Sequence, residues 1–188
     1  CIRPSPYVAL ATMSAVGQGV IALTLDGQFR AFGILDLKVL QFVLDRTSPL
    51  PVRHLPYVAM AVMPDGSGAW ALDLLGRLST FGSARDFGDG TIDPCFRPSP
   101  YAAMVPTPTG EGLYALTQNG QLRTFGVTEA FDTAADPNHI IPCVDLAIPS
   151  DGLGLWEIDL LGNFHTIGTA TVFGDATVQP CFRPSPYV

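Results

Sequence analysis

GAWALDLLGRLSTFG, at Gly68–Gly82, decides the fold, because three more versions of this stretch occur in the chain. They lie at Gly19–Gly33, Gly112–Gly126 and Gly154–Gly168, so successive copies begin 49, 44 and 42 residues apart. Glycines match at both ends and in the middle of every copy, which chance does not explain. Self-similarity at a nearly fixed period identifies a repeat architecture.

Each copy has the pattern of β structure. The large apolar side chains of Trp70, Leu72 and Leu74 fall on alternate positions, which is the period of a strand. Asp26-Gly27 and Asn119-Gly120 predict two-residue hairpins with a type I′ turn, in which both central residues have a positive φ. The other two copies carry weaker versions of this turn, Leu75-Gly76 and Leu161-Gly162.

A further aromatic residue follows three of the copies. Phe87, Phe131 and Phe173 each stand six residues after the last aromatic residue or isoleucine of their copy. This spacing predicts a fourth, outer strand. The first copy departs from the pattern, with Lys38 in place of the phenylalanine.

Another strand is expected before each hairpin, at Tyr7–Met13, Tyr57–Met63, Tyr101–Val105 and Val144–Ile148. These strands carry small residues on one side. Small side chains suit strands crowded around a central axis, and they also suit a tightly packed sandwich; their recurrence in phase favours the axis. The small residues are Ala9, Ala11, Ala59, Ala61, Ala103 and Ala147.

Each unit therefore has three or four antiparallel strands over about 44 residues, which is the length of a propeller blade. We expect an all-β, β-propeller-like single domain of four repeats. Its approximate blades are residues 1–48, 49–94, 95–142 and 143–180, and residues 181–188 are the start of a further repeat or an inter-subunit segment. A linear stack of repeats has the same periodicity and is the rival arrangement.

The composition excludes several classes of partner. The chain of 188 residues is 47% hydrophobic and 14% charged, has a net charge of −7, and contains a single lysine, Lys38. Such a surface argues against nucleic acid and against anionic lipid, since both require clustered cations. No apolar run is long enough for membrane insertion. High apolarity with few charges indicates either contacts with other subunits or a surface of Thr, Ser, Gly and Pro.

Cysteines recur in phase with the repeats. Cys1, Cys95 and Cys181 each open a C-[IF]-R-P-S-P-Y segment, and Cys143 holds the comparable position before the fourth copy. Disulfides among these four are expected if the protein is exported, and buried thiols are the alternative. No C-x-x-C spacing occurs, so neither a zinc site nor thioredoxin-type chemistry is indicated.

At the level of the repeat motif, nearly the whole chain resembles tandem β-propeller-like repeats of large bacterial exported and cell-surface proteins. The resemblance lies in Ala61–Trp70 with Gly76–Gly88, in Pro149–Trp156 with Ile167–Gly174, and in Pro108–Tyr114. It implies a propeller-like fold and an extracellular or cell-surface location. It transfers no catalytic residue, because such repeats are accessory or structural.

No catalytic constellation is present. Paired carboxylates, a G-x-S-x-G elbow, a phosphate loop and a histidine-rich metal pattern are all missing from the sequence. Asp86-Phe87-Gly88 lacks both the companion motifs of a kinase and the spaced oxygens of a calcium loop, so we expect a turn there. His165 falls at a solvent-facing strand position, which argues against a Cys–His pair. We expect no catalytic, cofactor-binding or metal-binding residues, and no cofactor.

Two functions remain. The first is a non-catalytic structural protein that assembles with itself into a surface array or filament through blade–blade and end-to-end contacts. The second is a lectin-like module that stacks cell-surface glycan on Trp70, Tyr114 and Trp156, although these residues share an apolar position typical of the core. The segment expected to drive end-to-end assembly is Cys181, Phe182, Arg183, Pro184, Ser185, Pro186, Tyr187 and Val188.

Overall fold

The computed structural model of the protein describes residues 6–13, 18–34, 56–90, 100–126, 128, 131 and 141–174. The regular structure of these residues consists of twelve β-strands and no helix, which confirms the all-β expectation.

The strands form four three-stranded antiparallel sheets, one for each repeat, and the order in space within a sheet follows the chain. Sheet 1 contains β1 Tyr7–Met13, β2 Gln18–Thr24 and β3 Phe29–Ile34, and sheet 2 contains β4 Tyr57–Val62, β5 Gly68–Asp73 and β6 Leu78–Gly82. Sheet 3 contains β7 Tyr101–Pro106, β8 Gly112–Thr117 and β9 Leu122–Gly126, and sheet 4 contains β10 Cys143–Ala147, β11 Gly154–Asp159 and β12 Phe164–Gly168.

The middle strands of sheets 2 and 3 are apolar on both faces because each face meets another sheet. All six residues of β5 are buried, and so are all six of β8. In β5, Ala69 and Ala71 pack toward sheet 1, whereas the larger Trp70 and Leu72 pack toward sheet 3. A strand buried on both sides has no need of the polar–apolar alternation of a half-exposed strand.

Each hairpin is closed by a three-residue loop, not by the two-residue type I′ turn that the sequence predicts. In sheet 3, the Gly120 amide donates to the Thr117 carbonyl oxygen at 3.0 Å, so Gln118 and Asn119 are the central residues of the turn. Gly120 follows them with a φ of 78°. This is a turn followed by a left-handed bulge glycine, and the predicted positive φ of Gly27 and Gly120 is confirmed (85° and 78°).

The last residue of the middle strand decides this loop geometry. Thr117 Oγ1 donates to Asn119 Oδ1 at 2.6 Å and accepts from the Gln121 amide at 3.0 Å. In sheet 2 a carboxylate replaces the hydroxyl as the acceptor: Asp73 Oδ1 accepts from the amides of Leu75 and Arg77 at 2.8 and 3.0 Å. Sheets 1 and 3 have the threonine form and sheets 2 and 4 have the aspartate form, with Thr24 and Asp159 as the remaining members.

Replacing Gly120 with valine should lower the free energy of unfolding by more than about 1 kcal/mol, because a β-branched side chain is strained at positive φ. Gln118→Val, in the same loop but without that constraint, is the control. Urea unfolding followed by circular dichroism measures both. Equal midpoints for Gly120→Val and the unmodified protein would contradict the loop geometry.

The predicted fourth strand is absent from the described parts of repeats 2 and 4. Residues 83–90 and 169–174 contain no strand. Instead the Phe87 ring stacks on the Trp70 indole with centroids 5.7 Å apart, and Phe173 lies against Trp156 at 5.9 Å. In repeats 2 and 4 the periodic phenylalanine therefore caps a tryptophan at the sheet face, and in repeat 3 Phe131 lies against Tyr114 at 5.4 Å. Lys38 lies outside the described residues.

Apolar clusters join neighbouring sheets in chain order. One lies between sheets 1 and 2, a second between sheets 2 and 3, and a third between sheets 3 and 4. Among the described residues, no cluster joins sheet 4 back to sheet 1. In the described part of the chain, the four sheets therefore form an arc with two ends.

The innermost strands β1, β4, β7 and β10 line a common central space of about 1,040 Å³. Ala59 and Ala61 on β4 are buried against sheet 3, and Ala103 on β7 is buried against sheet 4. Small residues thus let adjacent innermost strands approach one another beside the central space. The expected axis and the expected tight packing between sheets describe the same arrangement.

Candidate functional site

Every sheet has two faces with different roles. We call the face that points toward the preceding sheet the leading face, and the face that points toward the next sheet the trailing face. The outer faces of sheets 1 and 4 are named from the equivalent positions of the other sheets. Between sheets 2 and 3, the trailing face presents Trp70 and Leu78, and the leading face opposite presents Tyr101, Met104 and Phe125. Residues at the same position in other repeats point the same way, because the strand registers match.

The leading face of sheet 1 is uncovered in the described part of the protein. Its side chains Tyr7, Leu10 and Phe32 are 57%, 68% and 54% exposed. The residues at the same positions of sheet 3, Tyr101, Met104 and Phe125, are 2%, 5% and 7% exposed. The same types of side chain are therefore core in one sheet and surface in the other.

The trailing face of sheet 4 is uncovered as well. Phe164 is 38% exposed and Phe173 is 83% exposed, whereas Leu78, at the position of Phe164 in sheet 2, is 9% exposed. Trp156 and Ala147 line a groove of about 260 Å³ between these two phenylalanines. The groove is almost wholly apolar, which is the composition of a buried contact surface.

The aromatic residues proposed for glycan stacking divide into two groups. Trp70 and Tyr114 are fully buried between sheets, so neither can meet a sugar without separating the sheets. Trp156 is half-buried and lies in the uncovered groove. Both indoles are held in place, since Nε1 of Trp70 donates to the Arg85 carbonyl oxygen at 2.8 Å and Nε1 of Trp156 donates to that of Thr171 at 2.8 Å.

Sheet 4 contains a buried carboxyl group that the sequence interpretation did not single out. Glu157 stands where the other middle strands have Ala22, Ala71 and Ala115, and it is 5% exposed. Among the described residues, its Oε1 has no hydrogen-bond partner. Burial raises the pKa of Glu157 to about 7. Comparison of the four repeats could have flagged this position, because the other three copies have alanine there.

Two acidic or nucleophilic groups lie near Glu157. Burial first, and then the nearby Glu157 and Asp159 carboxylates, raise the pKa of Cys143 to about 12. Burial would raise the pKa of Asp159, but hydrogen bonds from Asn163 and Leu161, together with nearby His165, hold it below its usual value. The pKa of about 12 leaves the Cys143 thiol protonated at neutral pH, so this thiol is a poor nucleophile.

The predicted cysteine and assembly residues lie mostly outside the described part of the chain. Cys143 is fully buried at the start of β10. Cys1, Cys95, Cys181 and the rest of the segment from Phe182 to Val188 fall outside the described residues. Disulfide pairing and end-to-end assembly through this segment therefore stay predictions, as do the blade boundaries.

The described residues contain no group of three or more His, Cys, Asp and Glu side chains that could hold a metal ion. His165 is exposed on β12, with Nε2 3.8 Å from Asp159 Oδ2. At Asp86-Phe87-Gly88, the Gly88 amide donates to Asp86 Oδ1 at 2.8 Å, which makes the segment a local turn as expected. The described ranges contain no helix that is long and apolar enough to span a membrane.

Comparison with known proteins identifies the fold and nothing finer. No protein-family model and no curated protein matches the chain. Among solved structures, it is similar to the Cps50 (Swd1) β-propeller domain of Myceliophteria thermophila, with a TM-score of 0.56 at 10% sequence identity. The match covers 89% of this chain and 53% of that chain, so this chain spans about half the length of the structure that it matches. The repeats thus have a β-propeller fold.

Proposed function

We propose that this chain is a non-catalytic structural repeat protein of the cell surface or extracellular space that associates with further copies of itself. The observation that carries the proposal is the pair of uncovered apolar faces at the two ends of the arc. Large exposed apolar patches with few charges mark contacts with other protein surfaces. The resemblance to exported repeats and the recurring cysteines support the extracellular setting.

The proposed assembly also uses the carboxyl-terminal segment. Cys181–Val188 repeats the sequence that leads into β1, so it can add a strand to the edge of a neighbouring copy through main-chain hydrogen bonds. Head-to-tail contacts that do not close would extend into a filament.

Deleting Cys181–Val188 is expected to abolish end-to-end association through this segment and to leave the circular dichroism spectrum unchanged, because the deletion removes the strand donor and spares all twelve strands. Light scattering measures the particle size. A variant with Ser185→Ala alone, which keeps the segment, is the control. A particle size that the deletion leaves unchanged would refute end-to-end assembly through this segment.

A lectin-like binding module is the second candidate. The supporting observation is the half-buried Trp156 beside the exposed Phe173, since aromatic faces can stack on sugar rings. A glycan array with the intact protein separates the two functions. Specific binding that Trp156→Ala removes, in a protein that stays monomeric, would favour the lectin-like function over the structural one.

A further inference from the structure

The repeats alternate in pairs. Sheets 2 and 4 share the aspartate form of the hairpin, and both have a tryptophan capped by a phenylalanine on the trailing face. Sheets 1 and 3 share the threonine form, and both follow a C-[IF]-R-P-S-P-Y segment in the sequence. Within the chain, the trailing face of an even-numbered sheet therefore contacts the leading face of an odd-numbered sheet.

The contact between sheets 2 and 3 shows what fits the uncovered trailing face of sheet 4. The trailing side chains Ala61, Trp70, Leu78 and Phe87 correspond in sheet 4 to Ala147, Trp156, Phe164 and Phe173. The leading side chains Tyr101, Met104 and Phe125 correspond in sheet 1 to Tyr7, Leu10 and Phe32. The two uncovered faces thus carry the two halves of an interface that already exists inside the chain.

The capping phenylalanine extends this correspondence to a specific contact. A Cβ placed on Gly126 of sheet 3 would lie 2.6 Å from the Phe87 ring, so the ring of sheet 2 packs on a bare glycine of the next sheet. Phe131 meets Gly168 of sheet 4 in the same way, at 2.8 Å. Gly33 holds this position in sheet 1 and is exposed.

We infer that the trailing face of sheet 4 binds the leading face of sheet 1 in a second copy of this chain, with Phe173 seated on Gly33 of that copy. The inference rests on the proposed function, because it names the partner and the surface of the self-association. Asp145, at the position of Ala59, is a charged residue on the trailing face; it is exposed and borders the central space.

Two copies are expected to close a ring. Four sheets correspond to 53% of the chain of the matched propeller domain, so the arc covers about half of a propeller. A second copy supplies the other half, and its own trailing face then meets the first leading face. The resulting ring has eight sheets, within the usual range for propellers. Closure limits the assembly to a pair.

The test uses one charge on each face. Leu10→Asp alters only the leading face, Phe173→Asp alters only the trailing face, and both side chains are exposed within one copy, so the fold tolerates either change. Leu74→Asp, at an exposed hairpin position away from both faces, is the matched control. Sedimentation and light scattering measure the mass of each variant and of their mixtures.

The intact protein and Leu74→Asp should have twice the 20.0 kDa mass of one chain. Each face variant alone should raise the dissociation constant at least about 100-fold, because both contacts of the ring would bury an unpaired carboxylate. Mixing the two face variants should restore a pair, since one unaltered contact then remains. Restoration by mixing also shows that each variant is folded.

Several results would overturn the inference. A monomeric intact protein contradicts it, pairs that survive both face variants place the contact elsewhere, and growth without limit contradicts closure. Assembly that ignores both face variants but is lost on deleting Cys181–Val188 refutes the inference and leaves the proposed function standing. Glycan binding by a strictly monomeric intact chain refutes both.

Discussion

Trp70→Ala should lower the free energy of unfolding by about 4 kcal/mol, which lies within the range measured when large aromatic residues are truncated in protein cores. The Trp70 side chain is fully buried between sheets 2 and 3. Its removal also leaves the Phe87 ring without its stacking partner and the Arg85 carbonyl oxygen without its indole donor.

Trp156→Ala is the matched comparison, since Trp156 holds the same position and has the same phenylalanine cap. Its indole is only half-buried, so we expect a loss of about 1–2 kcal/mol. Both changes are best made with Leu10→Asp present, which keeps the chain monomeric under the inference above. Urea unfolding followed by circular dichroism measures the difference. Equal losses would show that sheet 4 is covered within a single copy.

The strand pattern could be predicted because it depends on local chemistry. Alternating apolar residues around Trp70 and glycines such as Gly27 identify strands and loops without reference to the rest of the chain. The loop type could not, because it depends on the Thr24 hydroxyl, which accepts from the Gln28 amide at 2.9 Å and favours a longer loop than Asp26-Gly27 alone predicts. For repeats 2 and 4 the prediction of a fourth strand was wrong for a related reason: an aromatic residue at a fixed spacing fits an outer strand and a ring packed on Trp70 equally well.

The two uncovered faces could not be predicted from the sequence, because the exposure of a side chain depends on which sheet lies beside it. Leu10 and Met104 are equivalent in sequence, and only the presence of sheet 2 beside Met104 makes one surface and the other core. Four repeats are consistent with a closed small ring and with an open arc of a larger one. The angle between sheets distinguishes the two, and that angle follows from the packing of whole faces, which no short motif encodes.

The largest effect of pH on stability is expected from Glu157. Burial raises the pKa of this carboxyl group from the ordinary value of 4.5 to about 7 in the folded protein. The folded state therefore favours the protonated form. The resulting stabilisation is fully present below pH 4.5, and it is lost as the pH rises from 4.5 through about 7. The free energy of unfolding should fall by about 3 kcal/mol across this range on account of Glu157.

Two substitutions isolate this contribution. Glu157→Gln keeps the shape and stays neutral, so its stability should change much less between pH 5 and pH 8 than that of the unmodified protein. Glu157→Ala gives sheet 4 the residue found at Ala22, Ala71 and Ala115, and it should stabilise the protein at pH 8 by removing a buried charge.

Urea midpoints at pH 5, 6, 7 and 8 for the three proteins decide the matter. The difference between Glu157→Gln and the unmodified protein should grow steadily with pH and level off above about pH 7. Cys143, whose pKa of about 12 lies far above this window, adds nothing to the slope. A constant difference across the series would mean that the Glu157 carboxyl group reaches water in the folded state, and that sheets 3 and 4 separate at their contact more readily than the packed arrangement implies.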